Sequence, residues 1–558
     1  MAKIKKRETL SEIFAGIAAG TSGVYVFLMF TLFPLYTHDM YFDILGMRYG
    51  VYLWISRVFV AFLIFLGGAY FFIDYSENVS SPPAIKRFIL AFHPKNIRKY
   101  ISITDICFFV MILSMTISTL GTYWKEEAFY GNAGRYQGLE CWLTYFLAYL
   151  GVSKTFRFKK FYLDWAILAG CFACIWAMLD FFQLDPFGFF RNVGDIQKGM
   201  FTSSVGNLNT FTNYSIMMFA VSASMFLVEK NRYKLIFYGV TTLITCAGTM
   251  FGLADNSVIG FAAIFVVLPF IALDTRRSLL RYVILIDIFF LSILIFRIAC
   301  NFPHNSWQDS FFMDLSVNKI NVLFVLLPLI ALTVALYFYL NKLNPNYGDG
   351  VSSGLTPLDS LMPSGFKKVY SIIVILLFLF GLYIVLDVNI FKQRDETWLK
   401  LPAAGQLIIN DDWGTHRGHN WRIAFTNFTQ NFSWFQRLFG YGPDTYLIVS
   451  ERTFYEEMVN RYHEVYDSAH NEYINYLICE GLIGLIAYLG IFISAMKNGI
   501  KNLSKNPFIL APVMAVLAYM AQAVVNIAIP ITTPVFFTLM YMCAAENVKE
   551  SYLQIDAQ

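Results

Sequence analysis

Two clusters of polar residues, at 415–421 and 467–472, have the residue types needed for phosphate binding and proton transfer. The first is Thr415-His416-Arg417-Gly418-His419-Asn420-Trp421, and apolar residues at helical spacing follow it. Arg417 is therefore predicted near a helix N-terminus, where unpaired backbone N–H groups and the helix dipole favour an anion. A guanidinium there can hold a diphosphate through paired N–H donors. The alternative is a solvated arginine that only happens to lie at a helix start.

The second cluster is Asp467-Ser468-Ala469-His470-Asn471-Glu472, directly before an apolar run. Asp467 or Ser468 is expected to cap the following helix, which would place His470 in its first turn. A helix N-terminus disfavours the imidazolium, so we expect His470 to be neutral near pH 7 and able to accept a proton. A histidine that belongs only to a capping motif is the alternative.

The elements that position these clusters are membrane helices. The chain has 558 residues, of which 57% are hydrophobic and only 14% are charged. A run of about 20 apolar residues crosses a hydrocarbon core of about 30 Å as a helix, because lipid offers the backbone no other hydrogen-bond partners. Such runs recur along most of the chain, so the predicted fold is an all-α polytopic membrane protein rather than one large soluble core. About fourteen spans are predicted, beginning near Ile13, Val51, Ile101, Leu139, Phe161, Phe211, Leu235, Ser257, Tyr282, Asn321, Val369, Asn471, Phe508 and Pro534.

The distribution of lysine and arginine predicts the orientation of these spans. With the N-terminus inside, the cytoplasmic segments hold 26 of these residues and the short external loops hold five. Because cytoplasmic loops carry the excess, both termini are predicted to be cytoplasmic. The predicted organisation is a bundle of about eleven spans over 1–389, a large external segment over 390–470, and about three spans over 471–558.

The external segment, called the cap below (residues 390–470), is predicted to be folded. Its apolar residues recur at helical spacing and then stop at Gly440 and Gly442. A second helix is expected over 446–462, capped by Asp444 or Thr445. We expect that helix to form a lid and an acceptor groove. The residues of the first helical pattern are Trp421, Ala424, Phe425, Phe428, Phe432, Phe435 and Phe439.

Several motifs along the chain together resemble those of the O-antigen ligase and polymerase superfamily. The resemblance covers roughly residues 130–545, and His470-Asn471 combined with the Glu480 motif is its most specific part. The motifs are Gly134-Arg135-Tyr136-Gln137-Gly138-Leu139, Gly206-Asn207-Leu208-Asn209, Arg417-x-x-x-Trp421, Gly440-Tyr441-Gly442-Pro443, Ala469-His470-Asn471-Glu472-Tyr473, Glu480-Gly481-Leu482-Ile483-Gly484-Leu485 and Tyr519-Met520-Ala521-Gln522 through Pro534.

The resemblance implies a metal-independent membrane glycosyltransferase of the GT-C-like type, without a cofactor, in the bacterial cytoplasmic (inner) membrane. Its donor would be an undecaprenyl-diphosphate-linked glycan, transferred to an acceptor hydroxyl at the outer face. Other implied partners are a glycan or lipid acceptor and membrane lipids, with a chain-length regulator as a further candidate; no nucleic-acid module is present. His470 and Arg417 would be catalytic. The substrate-binding residues would be Arg135, Asn207, Asn209, Trp421, Asn471 and Arg422.

One departure from the family pattern concerns a Ser-Arg pair that many members carry after the seventh span. This chain reads Asp255-Asn256-Ser257 there, and Arg135 is our candidate to replace the missing arginine. Asp411 and Asp412 are kept as a weaker base or acceptor-binding candidate. No D-x-D occurs in the external loops, which agrees with a reaction that needs no metal.

Two alternatives remain open on the sequence. A polymerase of surface-polysaccharide repeat units is favoured over a ligase, but both reactions share donor and chemistry and differ only in acceptor. A lipid-linked oligosaccharide flippase would also have about fourteen spans. A flippase would need several basic residues within spans and no folded cap, so it is the less favoured interpretation.

Overall fold

The computed structural model describes residues 9–91, 93, 95–96, 100–131, 135–304, 310–315, 321–342, 358, 360–391 and 407–545. Within these ranges the chain is almost entirely helical. The exceptions are a two-stranded antiparallel ribbon, which pairs Phe201–Thr202 with Gly206–Asn207, and an isolated bridge between Thr275 and Leu361. The predicted all-helical character is therefore confirmed. The predicted positions of both chain ends and of Gly134 lie outside the described residues.

The helices occur in two groups, before and after residue 400. The first group is Leu10–Phe30, Leu32–Leu35, Ile44–Ser76, Ala84–Ala91, Ile103–Gly121, Lys125–Tyr130, Leu139–Thr155, Lys160–Phe181, Asp195–Lys198, Leu208–Val228, Arg232–Phe251, Asn256–Val267, Pro269–Ala272, Arg276–Ala299, Phe311–Met313, Val322–Lys342 and Gly365–Leu386, with a π-helical turn at Asp387–Phe391. The second group is Trp413–Thr426, Trp434–Phe439, Tyr446–Tyr462, Glu472–Cys479, Gly481–Asn502, Leu510–Gln522 and Thr533–Ala544, with a π-helical turn at Asn427–Asn431 and a 3-10 turn at Pro507–Ile509.

Ten helices in the described part of the chain are long and apolar enough to cross a membrane. Three shorter apolar segments, Asn256–Ala272, Pro507–Gln522 and Thr533–Ala544, accompany them. Each of the fourteen predicted span starts lies within or directly beside a helix. The protein is thus a multi-pass membrane protein, while the count of fourteen and the orientation stay predictions.

The centre of the bundle is the helix Leu208–Val228, which is buried on all sides. It packs against Leu510–Gln522 and Arg232–Phe251. The helix Gly365–Leu386 is more apolar than this central helix but is exposed along its length, as a lipid-facing helix would be.

Hydrogen bonds between helices converge on Asn256 in this core. Thr212 donates to the Asn256 side-chain oxygen at 2.6 Å, and Gln522 donates to its backbone carbonyl at 3.0 Å. In an apolar environment such bonds help to fix which helices are neighbours. Asn256 is thereby held beside the N-terminal turn of the central helix.

The cap consists of short helices instead of the long continuous one that the apolar spacing predicts. That prediction is wrong because Ser433 caps a new helix at Trp434–Phe439, with Gln436 completing a reciprocal capping box. The helix Tyr446–Tyr462 has the predicted bounds, but Thr445 does not cap it through its side chain; its hydroxyl donates to the Gly442 carbonyl at 2.6 Å. Residues 392–406 of the cap lie outside the described residues.

A small apolar core joins the cap to the bundle. It contains residues of the cap helices together with residues of the helix Glu472–Cys479, which leads into the span Gly481–Asn502. The cap helix Trp434–Phe439 also packs against that span. The cap is therefore seated directly on the helix that follows His470.

Candidate functional site

Arg417 stands at the start of regular helical backbone. The three residues before it, Gly414, Thr415 and His416, all have left-handed φ values of 62°, 59° and 65°. Non-glycine residues adopt this conformation at a cost of about 1–3 kcal/mol, and it is concentrated at functional sites. One Arg417 nitrogen, Nη1, donates to the Gly414 carbonyl at 2.8 Å and so fixes the guanidinium against this turn.

The helix that begins at Arg417 is tied to the segment that carries His470. Asn420 donates from Nδ2 to the Ser468 carbonyl at 2.8 Å, and Trp421 donates from Nε1 to the Ala469 carbonyl at 3.0 Å. Residues three and four apart lie on the same helix face, so Arg417 shares this face with both donors. Trp421, predicted to bind substrate, thus has its indole N–H engaged in positioning the His470 segment.

His470 precedes the helix Glu472–Cys479 instead of lying in its first turn. The predicted capping by Asp467 or Ser468 is wrong: Asn471 is the cap, and its side-chain oxygen accepts from the backbone N–H groups of Tyr473 and Ile474. The reason is that His470 has a left-handed φ of 48°, which turns the chain before the helix can begin. Asn471 was predicted to bind glycan, and its amide oxygen is occupied by the cap.

The imidazole of His470 is half-buried and lies among charged groups. Burial lowers its pKa, the nearby guanidinium groups of Arg417 and Arg135 lower it further, and the Asp467 carboxylate opposes them. Nδ1 lies 3.4 Å from the Ser468 carbonyl, which can only accept a hydrogen bond. The tautomer with its proton on Nδ1 would donate to this carbonyl and leave a lone pair on Nε2.

The structure brings together three of the predicted site residues, namely Arg417, His470 and Arg135. Arg135 forms an ion pair with Asp467, with 2.5 Å between Nη2 and Oδ2. In both arginines the Nε–H group is buried and has no hydrogen-bond partner in the described part of the chain. Two guanidinium groups with unused donors near a neutral histidine can bind an anion beside a base.

Asp255, the first of the residues that stand in place of the family's Ser-Arg pair, lies near Arg417. The carboxylate of Asp255 lies close enough to Arg417 to raise the pKa of that guanidinium against the larger, opposite effect of burial. The adjacent Asn256 donates to the backbone carbonyl of Asn209 at 3.1 Å. Asn209 is therefore connected to the Arg417 side of the site and is exposed, whereas the Asn207 side chain caps the central helix by accepting from Asn209 N–H.

Arg422 is placed in a separate ionic cluster of the cap. Its Nε donates to Asp411 at 2.9 Å, and it also pairs with Glu457. Asp411 further accepts from Arg461 at 2.6 Å, and Asp412 accepts from the Tyr462 hydroxyl at 2.7 Å. Arg422, which was predicted to bind substrate, is therefore engaged within the cap. Asp411 and Asp412, the weaker base candidates, are engaged there as well.

Asp411, Glu457 and His419 lie close enough together to be considered as a metal site. Their ligand atoms are already engaged, because Arg422 joins the two carboxylates and His419 Nε2 lies 3.1 Å from Glu457 Oε1. The Arg422 hydrogen bond lowers the pKa of Glu457. The guanidinium groups supply the positive charge that a metal would otherwise bring, so this cluster fits an ionic cross-link of the cap better than a metal centre.

Backbone contacts explain the glycines of two motifs. Tyr441 N–H donates to the Ile478 carbonyl at 3.0 Å, and Gly442 N–H donates to the Cys479 carbonyl at 3.1 Å. This brings the loop around Gly440 directly onto the turn at Gly481. These two turns hold the cap against the C-terminal end of the helix Glu472–Cys479, which lines the pocket described next.

Apart from Arg135, the polar residues around a narrow pocket were given no binding role from the sequence, although they stand in its motifs. The pocket adjoins His470 through Ser468. The sequence did contain a signal for them, because Glu472 and Glu480 each stand at the start of an apolar run. A carboxylate in such a place costs free energy and is often functional. The polar lining of the pocket includes Arg135, Gln137, Ser468, Glu472 and Glu480.

Part of the chain is similar to a known protein family. Residues 319–489 match the family model described as O-Antigen ligase, which confirms the resemblance that the motifs indicate. The matched region contains Arg417, His470 and Glu480, while Arg135 lies outside it. No curated protein matches the chain.

Proposed function

We propose that this protein transfers a glycan from an undecaprenyl-diphosphate carrier to an acceptor hydroxyl at the outer membrane face. The premise is the match of residues 319–489 to the O-antigen ligase family model. The favoured reaction is the polymerisation of repeat units. The observation that supports the proposal is that the charges of Arg417 and Arg135 both act on His470, and that each guanidinium has a buried Nε–H without a partner among the described residues.

The proposed reaction is a displacement at the anomeric carbon of the donor. The acceptor oxygen forms a bond to that carbon, the bond from the carbon to the phosphate oxygen breaks, and the lipid diphosphate leaves with its electron pair. Arg417 and Arg135 stabilise the charge that develops on the diphosphate, because their donors are in place before the reaction starts. Nε2 of His470 accepts the proton of the acceptor hydroxyl.

We expect His470→Ala to lower the rate of glycan transfer by about 10²–10⁴-fold, which is the usual contribution of a positioned general base. The assay uses the purified protein in vesicles with the lipid-linked repeat unit of the native cells, and products are resolved as a ladder on a gel. His463→Asn is the matched control, since His463 is exposed and asparagine tolerates its left-handed φ of 55°. Full activity in His470→Ala would contradict the role of His470.

The pH profile of the wild-type protein gives a second readout of the same role. The pKa of His470 lies below the ordinary imidazole value of 6.5, so the neutral base persists as the pH falls through 6.5. The rate is expected to decline only at lower pH, and His470→Ala should lose this acid limb. An acid limb centred above 6.5 would show that another group is the base.

Metal independence is also part of the proposal, because Arg422 pairs with both carboxylates of the candidate metal cluster found among the described residues. We expect the ladder to be unchanged when the protein is dialysed against EDTA and assayed in its presence. Matched samples that receive Mg²⁺ or Mn²⁺ after the chelator serve as controls. Loss of activity in EDTA with recovery on metal addition would show that the reaction needs a metal.

A ligase is the second candidate, because the matching family model carries that description. The two functions differ in acceptor, so the same assay separates them. A ladder of increasing length supports polymerisation. A single transfer to an added lipid anchor, without a ladder, supports ligation. Translocation of the intact lipid-linked unit without a new glycosidic bond would instead indicate a flippase.

A further inference from the structure

The narrow pocket beside His470 contains buried polar atoms that the fold leaves unsatisfied. Glu480 is 1% exposed and Gln137 is 5% exposed, and both line the pocket. Oε2 of Glu480 and Oε1 of Gln137 nevertheless accept no hydrogen bond from the described part of the chain. A buried acceptor without a donor costs folding free energy, so these two oxygens are open to a donor from outside the chain, either a water or a ligand hydroxyl.

A neighbouring glutamate shows how this fold satisfies a carboxylate that has a structural role. Glu472, on the same pocket wall, accepts hydrogen bonds from the hydroxyl groups of Tyr488 at 2.7 Å and Tyr519 at 2.8 Å. Glu480 is as deeply buried, but its Oε2 has no such hydroxyl. The difference between the two glutamates points to a ligand hydroxyl at Glu480.

The rest of the lining suits one edge of a sugar ring. Glu480 and Gln137 offer acceptors for hydroxyl groups, while Tyr476, Ile527 and Ala528 offer apolar surface for ring C–H groups. The pocket is small, so it admits a hydroxyl group at one edge of the ring and not a whole oligosaccharide. We propose that this pocket is the binding subsite for the acceptor sugar, with Glu480 and Gln137 as the residues that hold its hydroxyl groups.

The position of the pocket relative to His470 supports this assignment, which rests on the proposed function. Ser468 lines the pocket, and both its carbonyl oxygen and its hydroxyl lie 3.4 Å from His470 Nδ1. Arg135 also lines the pocket, and its charge acts on His470. A sugar held by Glu480 would therefore lie next to His470 and next to Arg135, which the acceptor pocket shares with the proposed diphosphate site.

The test uses a probe that can act only as acceptor. It is the repeat-unit oligosaccharide released by mild acid from the lipid-linked intermediates of the native cells, which no longer carries the diphosphate. Binding to the full-length protein in detergent is measured by calorimetry without donor. We expect Glu480→Gln and Gln137→Leu each to raise the dissociation constant at least tenfold, while the KM for the lipid-linked donor, measured at saturating oligosaccharide, changes less than twofold.

Glu456→Gln is the matched control, because Glu456 is exposed on the cap helix Tyr446–Tyr462 and should leave both constants unchanged. If Glu480→Gln fails to fold, Gln137→Leu decides the question. Absence of oligosaccharide binding to the wild type, equal binding to the folded variants, or an effect on the donor KM alone would overturn the subsite. Retained oligosaccharide binding with no transfer in the wild type would instead refute the proposed function and leave the subsite standing.

Discussion

Arg417→Ala is expected to lower glycan transfer by about 10²–10³-fold, the usual cost of removing one preorganised donor to a developing negative charge. The reason is that Arg417 offers a buried Nε–H with no partner among the described residues, next to His470. Arg417→Lys should recover only part of the activity, because an ammonium keeps the charge but lacks the planar pair of donors. The ladder assay in vesicles measures both variants.

Arg452→Ala is the control for this prediction. Arg452 is an exposed arginine of the same cap that donates to the Tyr441 hydroxyl at 3.0 Å, and we expect its loss to leave transfer nearly unchanged. Inorganic diphosphate supplies a second readout, since it should inhibit the wild type and inhibit Arg417→Ala much less. Equal inhibition of both proteins would show that Arg417 does not hold the diphosphate.

Gly481→Ala is expected to destabilise the protein strongly. Gly481 has a left-handed φ of 70°, and a Cβ atom there would lie 2.5 Å from the Gly440 nitrogen and from the Leu438 backbone. The left-handed conformation alone costs an alanine about 1–2 kcal/mol. The overlap adds to this, because the atoms that would have to move are backbone atoms of the cap and not the ends of flexible side chains.

The measurement for Gly481→Ala is the apparent unfolding temperature in detergent, followed by the monodisperse fraction after heating. Gly67→Ala is the matched control, since Gly67 lies in the helix Ile44–Ser76 with no atom within 4 Å of a built Cβ. That control should unfold at the wild-type temperature or slightly above it, because alanine favours a helix. Equal unfolding temperatures for the two variants would mean that the two turns are not packed as described.

The departure from the family pattern places the charge of Asp255 near Arg417. Where many members carry an arginine, this chain has a carboxylate that opposes the effect of burial on the pKa of Arg417. Arg135 then brings a second guanidinium to His470 from an earlier loop. Arg135 therefore stays our proposed replacement for the missing arginine.

The sequence by itself determined the membrane class, the position of nearly every long helix, and the expectation that Arg417 and His470 stand beside helix starts. These properties depend on local composition, since apolar runs and polar residues at their ends act within one segment. Local reasoning failed where several residues could cap the same helix. Asn471 caps in place of Asp467 or Ser468 because the backbone turns at His470.

Only the tertiary structure decided which segments meet. Arg135 and Asp467 form an ion pair across 332 positions of the chain, and Asp255 reaches Arg417 from another helix. The two glutamates of the pocket also look alike in the sequence, yet Tyr488 and Tyr519 satisfy Glu472 and leave Glu480 Oε2 without a donor. Hydrophobic periodicity specifies which face of a helix is buried but not against which neighbour, so charge pairs and unsatisfied atoms between distant segments arise only when the helices pack.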